Sequence, residues 1–273
     1  MTNRIAMIGG GNMATALVGG LIKNGFDPAS IDVLDRNEHK RKMFAEEMKV
    51  VVHDAPGEWL KEATVVVLAV KPQGLAQTCE TIVPYFNADA LMFSIAAGVR
   101  VATIARWTKT DKVVRTMPNT PSLVGAGVIG FYAPEGLDVA AVELAQQVAR
   151  SMGEVIEVRT EQELDLLSTV SGSGPAYVFR FIEALEAAAI ARGFEPEGAR
   201  RMAKLTLWGA SKLAMESSET PAKLRENVTS KKGTTAEALR VMQEHDFMGM
   251  MDEAIQAAYD RNQVLATELD KAA

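Results

Sequence analysis

Residues 5–17 read IAMIGGGNMATAL. Four apolar residues, the end of a β-type run, lead into three glycines and then into a stretch with helical spacing. The pattern is Gly9-x-Gly11-x-x-Ala14 between a strand and the start of a helix. In a dinucleotide-binding βα unit the first glycine makes the tight turn and the second lets the backbone approach a pyrophosphate. A small third residue lets helix and strand pack closely. The helix start also presents free N–H groups to the phosphates. Gly9, Gly10, Gly11, Asn12, Met13 and Ala14 are therefore the expected phosphate-binding segment. Asp35 closes the next β-type run, 21 residues beyond Ala14, where an acid meets ribose hydroxyls. Arg36 follows at once. An acid there favours NAD, whereas an adjacent arginine accommodates the extra phosphate of NADP, so the pair leaves both cofactors open.

Working outward, the first 155 or so residues alternate two kinds of segment. β-type runs occur at 4–8, 31–34, 64–69, 91–94, 112–115 and 128–132, and helical spacing at 13–24, 37–48 and 137–151. Strand–helix alternation predicts a parallel sheet with helices on both faces. Runs as continuously apolar as VVVLAV fit strands covered on both sides. From about 161 the β-type runs stop, and helices are predicted at 161–170, 175–192, 197–216, 221–227, 235–244 and 248–269. The expected architecture is an α/β Rossmann domain (doubly wound, mostly parallel sheet) over 1–158, followed by an all-α dimerisation domain over 159–273. Three of the helices are close to 20 residues, too long for so short a segment to cover. Their apolar faces, dense in alanine, are expected to pack on a second copy.

Composition narrows the function. The 273 residues are 48% hydrophobic with a formal charge of −6. No basic stripe suits nucleic acid, and no apolar run is long enough to span a membrane. The N-terminus lacks the flanks of a signal peptide, and one cysteine rules out an internal disulfide. A cytoplasmic protein that binds neither membrane nor nucleic acid is expected. No metal-ligand spacing occurs.

Further strands end at the sheet edge where open α/β folds bind ligands. VVVLAVKPQ supplies Ala69, Val70, Lys71 and Pro72, and FSIAAGV supplies Ala96, Ala97 and Gly98, small enough to admit a nicotinamide or ribose. VRTMPNTP supplies Asn119. His39, His53 and His245 lie in charged or loop contexts and are expected at the surface; Cys79 is expected to pack. A hydroxy-acid dehydrogenase needs a general base, usually His or Lys. None stands out, which points away from a C–OH bond as the reacting group. VTSKKGTT (228–235) has four hydroxyls, two lysines and a glycine without an acid. It suits an anion cradle, a set of helix caps or a solvated turn.

The glycine motif, AVKPQ, SIAAG, RTMPNTP, SGSGPAYVF and VTSKKGTT, in this order and spacing, resemble the pyrroline-5-carboxylate reductase family over essentially the whole chain from Ile5. The resemblance implies a Rossmann domain, a helical dimerisation domain, at least a dimer, and NADPH (NADH possible) as hydride donor. It implies a five-membered cyclic imine carboxylate as substrate, reduced in the last step of proline biosynthesis. Asn227, Ser230, Gly233, Thr234 and Thr235 then fall on the substrate site. The Thr235 hydroxyl meets the imine nitrogen, and the loop comes from the partner subunit. A protonated imine is already an electrophile, so positioning replaces a strong base. Two positions depart from many relatives: Lys231-Lys232 in the loop, and Pro56 where an asparagine is common near the adenine ribose. Three alternatives remain: a β-hydroxyacid dehydrogenase, another imine reductase, or a nucleotide sensor without turnover. The first needs a lysine four residues after Gly174, where this chain has Val178.

Overall fold

The computed structural model describes residues 3–271; Met1, Thr2, Ala272 and Ala273, the outermost residues of the two expected domains, lie outside the described residues. In chain order the first elements are β1 (Ile5–Ile8), α1 (Asn12–Lys23), β2 (Ile31–Leu34), α2 (Glu38–Glu47) and β3 (Val51–His53). There follow β4 (Val65–Leu68), α3 (Pro72–Ile82), β5 (Leu91–Ser94), α4 (Val101–Thr108), β6 (Val113–Met117), β7 (Gly127–Tyr132), α5 (Val139–Arg150) and β8 (Gly153–Glu157). The helical part comprises α6 (Glu161–Leu167), a π-type turn at Ser168–Gly172, α7 (Gly174–Ile190), α8 (Pro196–Glu216), α9 (Pro221–Asn227), α10 (Thr234–Glu244) and α11 (Phe247–Lys271).

The strands form one sheet in the order β3-β2-β1-β4-β5-β6-β7-β8, parallel except for the antiparallel β6–β7 pair. Alternate residues of each strand feed opposite cores, as a period of two requires. Ile5, Met7, Ile31, Val33, Val65 and Val67 pack with α1, α2 and α5. Ala6, Ile8, Leu34, Val66 and Leu68 pack with α3 and α4. This is the doubly wound arrangement expected from the sequence. Two strands escaped the pattern. β3 is only three residues, with Val51 exposed. β8, GEVIE, lies at the opposite edge, where Val155 packs inward and Glu154, Ile156 and Glu157 face solvent. A short edge strand with one dry side chain leaves little signal.

Packing divides the described chain differently from composition. One compact unit runs through Ser173 and resumes at Ala258; the other is Gly174–Ala257. The expected break at 158/159 does not coincide with it because α6 belongs to the sheet. Leu164 and Leu167 lie over Gly130 of β7. Arg115 of β6, 3% exposed, pairs with Asp165 at 2.6 Å and Glu161 at 3.1 Å. The end of α11 joins the same hub, Gln263 donating to Asp165 at 3.2 Å. In the helical unit α7 packs on α8, and only Ala199 and Ala203 are buried among the described residues.

Candidate active site

β1, β2 and β4 end level with one another, Ile8 pairing with Leu34 on one side and Leu68 on the other. β1 and β4 flank the point where strand order reverses, and a crevice opens beyond their carboxyl ends, as the fold dictates. Gly9 makes the turn there with φ +105°, and a Cβ on it would lie 2.9 Å from the Ala69 carbonyl oxygen. Gly10 donates its N–H to Asp35 Oδ2 at 2.8 Å. Gly11 caps α1 without a side-chain hydrogen bond, and a Cβ on it would meet nothing within 4 Å. An open concavity of backbone against uncapped helical N–H groups fits a pyrophosphate. Asn12 is exposed and Met13 partly exposed at its rim, while Ala14 is buried against the sheet.

The cleft measures about 300 Å³ and is bounded by Gly9, Asp35, Arg36 and Val70. Asp35 is braced by backbone, with Oδ1 accepting from Asn37 N at 2.8 Å and Lys40 Nζ 3.5 Å from Oδ2. Arg41 holds the same turn, donating to the carbonyls of Asp35 and Arg36 at 2.8 and 2.9 Å. The Arg36 side chain itself is exposed beside the cleft. Lys71 is the exposed N-cap residue of α3 and Pro72 its first residue. The face of α3 beyond them, Gly74, Gln77, Thr78 and Thr81, lines the cleft, as do Asp54 and Pro56. Sequence reasoning noted Pro56 without giving it a cofactor role and missed the other five. The i, i+3, i+4, i+7 spacing after Gly74 was the available signal.

Ala96 is buried and Ala97 exposed. The Cβ direction of Gly98 (φ +74°) points to Leu269 at 3.5 Å and Ala266 at 3.7 Å on α11. Asp270 secures that helix end, accepting from Thr103 Oγ1 at 2.7 Å. Asn119 is 7% exposed; its amide donates to Ser171 O and accepts from Val128 N, both at 2.9 Å. The structure gives it a bracing role between β7 and the SGSG turn. His39 and His245 are exposed, but His53 is not simply a surface residue: it is partly buried against Asp32. Burial pushes the Cys79 thiol up to about 12, so it packs as an inert apolar group. Among the described residues no cluster of three His, Cys, Asp or Glu could hold a metal, and no helix is long and apolar enough to cross a membrane.

In the helical unit α9 ends at the exposed Asn227, and α10 begins at Thr234 after a Gly233 cap that makes no side-chain hydrogen bond. Thr220 caps α9, accepting from Lys223 N at 3.2 Å, and the Thr229 hydroxyl donates to the Arg225 carbonyl at 2.6 Å. Ser230, Thr234 and Thr235 behave otherwise. Among the described residues their hydroxyls make no hydrogen bond, so they are not helix caps. Lys232 turns the chain at φ +60°, and Ser230 Oγ lies over Gly233, too close to admit a Cβ there. Both lysines are exposed. Uncapped N–H groups at the start of α10, with hydroxyls beside them, suit a small carboxylate.

Residues 161–265 match the family model described as pyrroline-5-carboxylate reductase dimerisation, and residues 4–98 that described as NADP oxidoreductase, coenzyme F420-dependent. Pyrroline-5-carboxylate reductase of Pseudomonas aeruginosa is 38% identical over 269 residues, covering 98% of each chain. This chain belongs to the pyrroline-5-carboxylate reductase family. The solved pyrroline-5-carboxylate reductase of Coxiella burnetii, 38% identical, covers 97% of this chain and 99% of its own with a TM-score of 0.91. The Plasmodium falciparum pyrroline carboxylate reductase, solved with NADP bound, shares the fold at 24% identity and a TM-score of 0.85, with coverage of 97% and 99%.

The helical segment has the surface that a pyrroline-5-carboxylate reductase dimerisation segment needs. Trp208, Met215 and Met248 are 64, 82 and 78% exposed, and Phe179, Phe194 and Leu205 are also exposed. Fully burying one large apolar side chain contributes about 1.5–3 kcal/mol. Val178, at the position of the rival family's lysine, is exposed on α7 and offers no proton.

Proposed function

We propose that this chain reduces 1-pyrroline-5-carboxylate to L-proline with NAD(P)H, the last step of proline biosynthesis. The carrying observation is that relatives named for this activity match nearly the whole chain, glycine turn and hydroxyl loop included. The turn at Gly9, Gly10, Gly11, Asn12, Met13 and Ala14 holds the pyrophosphate, with Ala69, Val70, Lys71, Pro72 and Ala97 along the adjoining edge. When bound, the nicotinamide supplies the hydride for the C=N carbon. NADPH is preferred to NADH, because Arg36 is exposed at the cleft while both Asp35 oxygens already accept from backbone amides.

The substrate carboxylate lies on the N–H groups at Gly233 and Thr234 with the Ser230 hydroxyl, and Asn227 flanks it. Thr235 hydrogen-bonds the ring nitrogen. Protonation of that nitrogen makes the carbon electrophilic, and the product keeps the proton on its amine. The chain's task is placement, which accounts for the lack of a histidine base. The functional division follows the composition break: 1–158 binds cofactor, and 159–273 dimerises and binds substrate. The working form is at least a dimer in the cytoplasm, with the loop reaching the cofactor of a partner copy, and neither nucleic acid nor membrane takes part.

NADPH consumption measured with pyrroline-5-carboxylate and, separately, NADPH formation from NADP+ with β-hydroxy acids test this. Turnover is expected only with the imine, and NADH should support a slower reaction. Activity confined to hydroxy acids, or tight NADPH binding with no turnover, would reject it.

A further inference from the structure

Asp54 and Pro56 line the cleft beside Arg36, and the segment that carries them is held from both sides. Residues 54–57 lie between β3, which ends at His53, and the 3₁₀ turn Glu58–Glu62, which carries Trp59. The His53 and Trp59 rings stack face to face, with centroids 3.9 Å apart and planes 3° from parallel. Trp59 Nε1 donates to the Ala55 carbonyl inside the segment at 3.3 Å. His53 Nε2 donates to Asp32 Oδ1 at 2.7 Å. Asp32 is buried in the sheet, and its other oxygen accepts from Arg4 Nε at 2.6 Å. The carboxylate cannot turn to water, so the imidazole is fixed, the indole is fixed on it, and the chain between them is pinned at both ends. Asp54 and Pro56 of that chain face the cleft beside Arg36.

The geometry points to His53 and Trp59 as positioning residues that hold residues 54–57 as a preset wall for the adenosine end of the dinucleotide. The wall offers the Pro56 ring to the cleft. A wall already in place spares the ordering cost that a loose segment incurs on binding. The stack therefore governs cofactor affinity and leaves the chemical step alone. This rests on the dinucleotide placement proposed above.

Steady-state kinetics on Trp59→Leu, Trp59→Phe and Gly74→Leu test both levels. Trp59→Leu removes the stack and should raise the KM for NADPH roughly 10-fold, leaving kcat and the imine KM within about twofold. Trp59→Phe keeps a ring face on His53 and should recover most of the loss. A packing role alone would lower the melting temperature without this split. Gly74→Leu pushes a side chain into the cleft from α3, where a Cβ meets nothing within 4 Å, and should raise the NADPH KM by itself. An unchanged NADPH KM in folded Trp59→Leu, with the rise present in Gly74→Leu, overturns the clamp and leaves the cleft standing. No rise in either removes the cofactor from this cleft and the inference with it. If Trp59→Leu does not fold, His53→Leu, which spares the Arg4–Asp32 pair, is read for the same split.

Discussion

Gly9 and Gly11 occupy one turn for different physical reasons. Gly9 is required by the fold, since its positive φ and the 2.9 Å approach to Ala69 O exclude a side chain. Gly11 has ordinary dihedrals, φ −79° and ψ 178°, and open space at its Cβ. Gly11→Val should therefore fold with a near-parental melting curve yet weaken NADPH binding roughly 100-fold or more, because the valine fills the phosphate approach. Fluorescence titration of NADPH decides it, and an unchanged affinity would move the cofactor elsewhere. The loop hydroxyls can be separated in the same way. Thr235→Val keeps the shape of the side chain and loses the hydroxyl. If that bond strengthens as charge on the nitrogen changes, kcat should fall roughly 10- to 1000-fold. Ser230→Ala removes a carboxylate contact present in both ground and transition states, so the imine KM should rise with little change in kcat. Parental turnover in Thr235→Val would leave that residue without a catalytic role.

At the scale of elements, helix starts divide by what satisfies their first N–H groups. Asn37, Asp138, Thr160 and Thr220 cap α2, α5, α6 and α9 with side-chain oxygens. α3, α4 and α8 begin without such caps, and α1 and α10, the two helices assigned to anions, do so on glycines. α6 shows the other use of a polar side chain. Arg115 of β6 is enclosed by Asp165 and Glu161, with Gln263 of α11 on the second Asp165 oxygen. Removing one partner of a buried ion pair costs far more than the pair contributes, about 3–5 kcal/mol. Asp165→Ala should lower the denaturant midpoint by that equivalent and remove the Gln263 contact of α11. A loss below about 1 kcal/mol would show that Glu161 alone satisfies the guanidinium.

For the whole molecule, the contrast between the two compact units is decisive. The sheet unit buries long runs of strand on both faces, whereas the helical unit buries only Ala199 and Ala203 among its described residues. A unit with so little interior should draw its stability from association. Light scattering at micromolar concentration should give at least twice the chain mass of 29.4 kDa. Trp208→Glu and Leu205→Glu should shift the mass downward and lower the melting temperature together. A parental chain that scatters as a monomer would contradict the family's dimerisation model for this member.

By itself the sequence determined whatever is written locally. The strand–turn–helix around Gly9, the alternation that yields a doubly wound sheet, and the helical periodicity after 161 are short-range patterns of side-chain spacing. VTSKKGTT likewise reads as a loop between helices, and it joins α9 to α10. Tertiary structure alone decided which residues those patterns bring together. Asn119, expected beside the cofactor, spends its amide on Ser171 and Val128. Gly98 serves the approach of α11, His53 is drawn inward by Asp32, and α6 joins the sheet through Arg115. β3 and β8 exist because a neighbouring strand supplies their hydrogen bonds. Partners such as Arg115 and Asp165 lie tens of residues apart in sequence, and no local propensity encodes them. Their energy comes from desolvation and pairing that exist only once the sheet and helices have met.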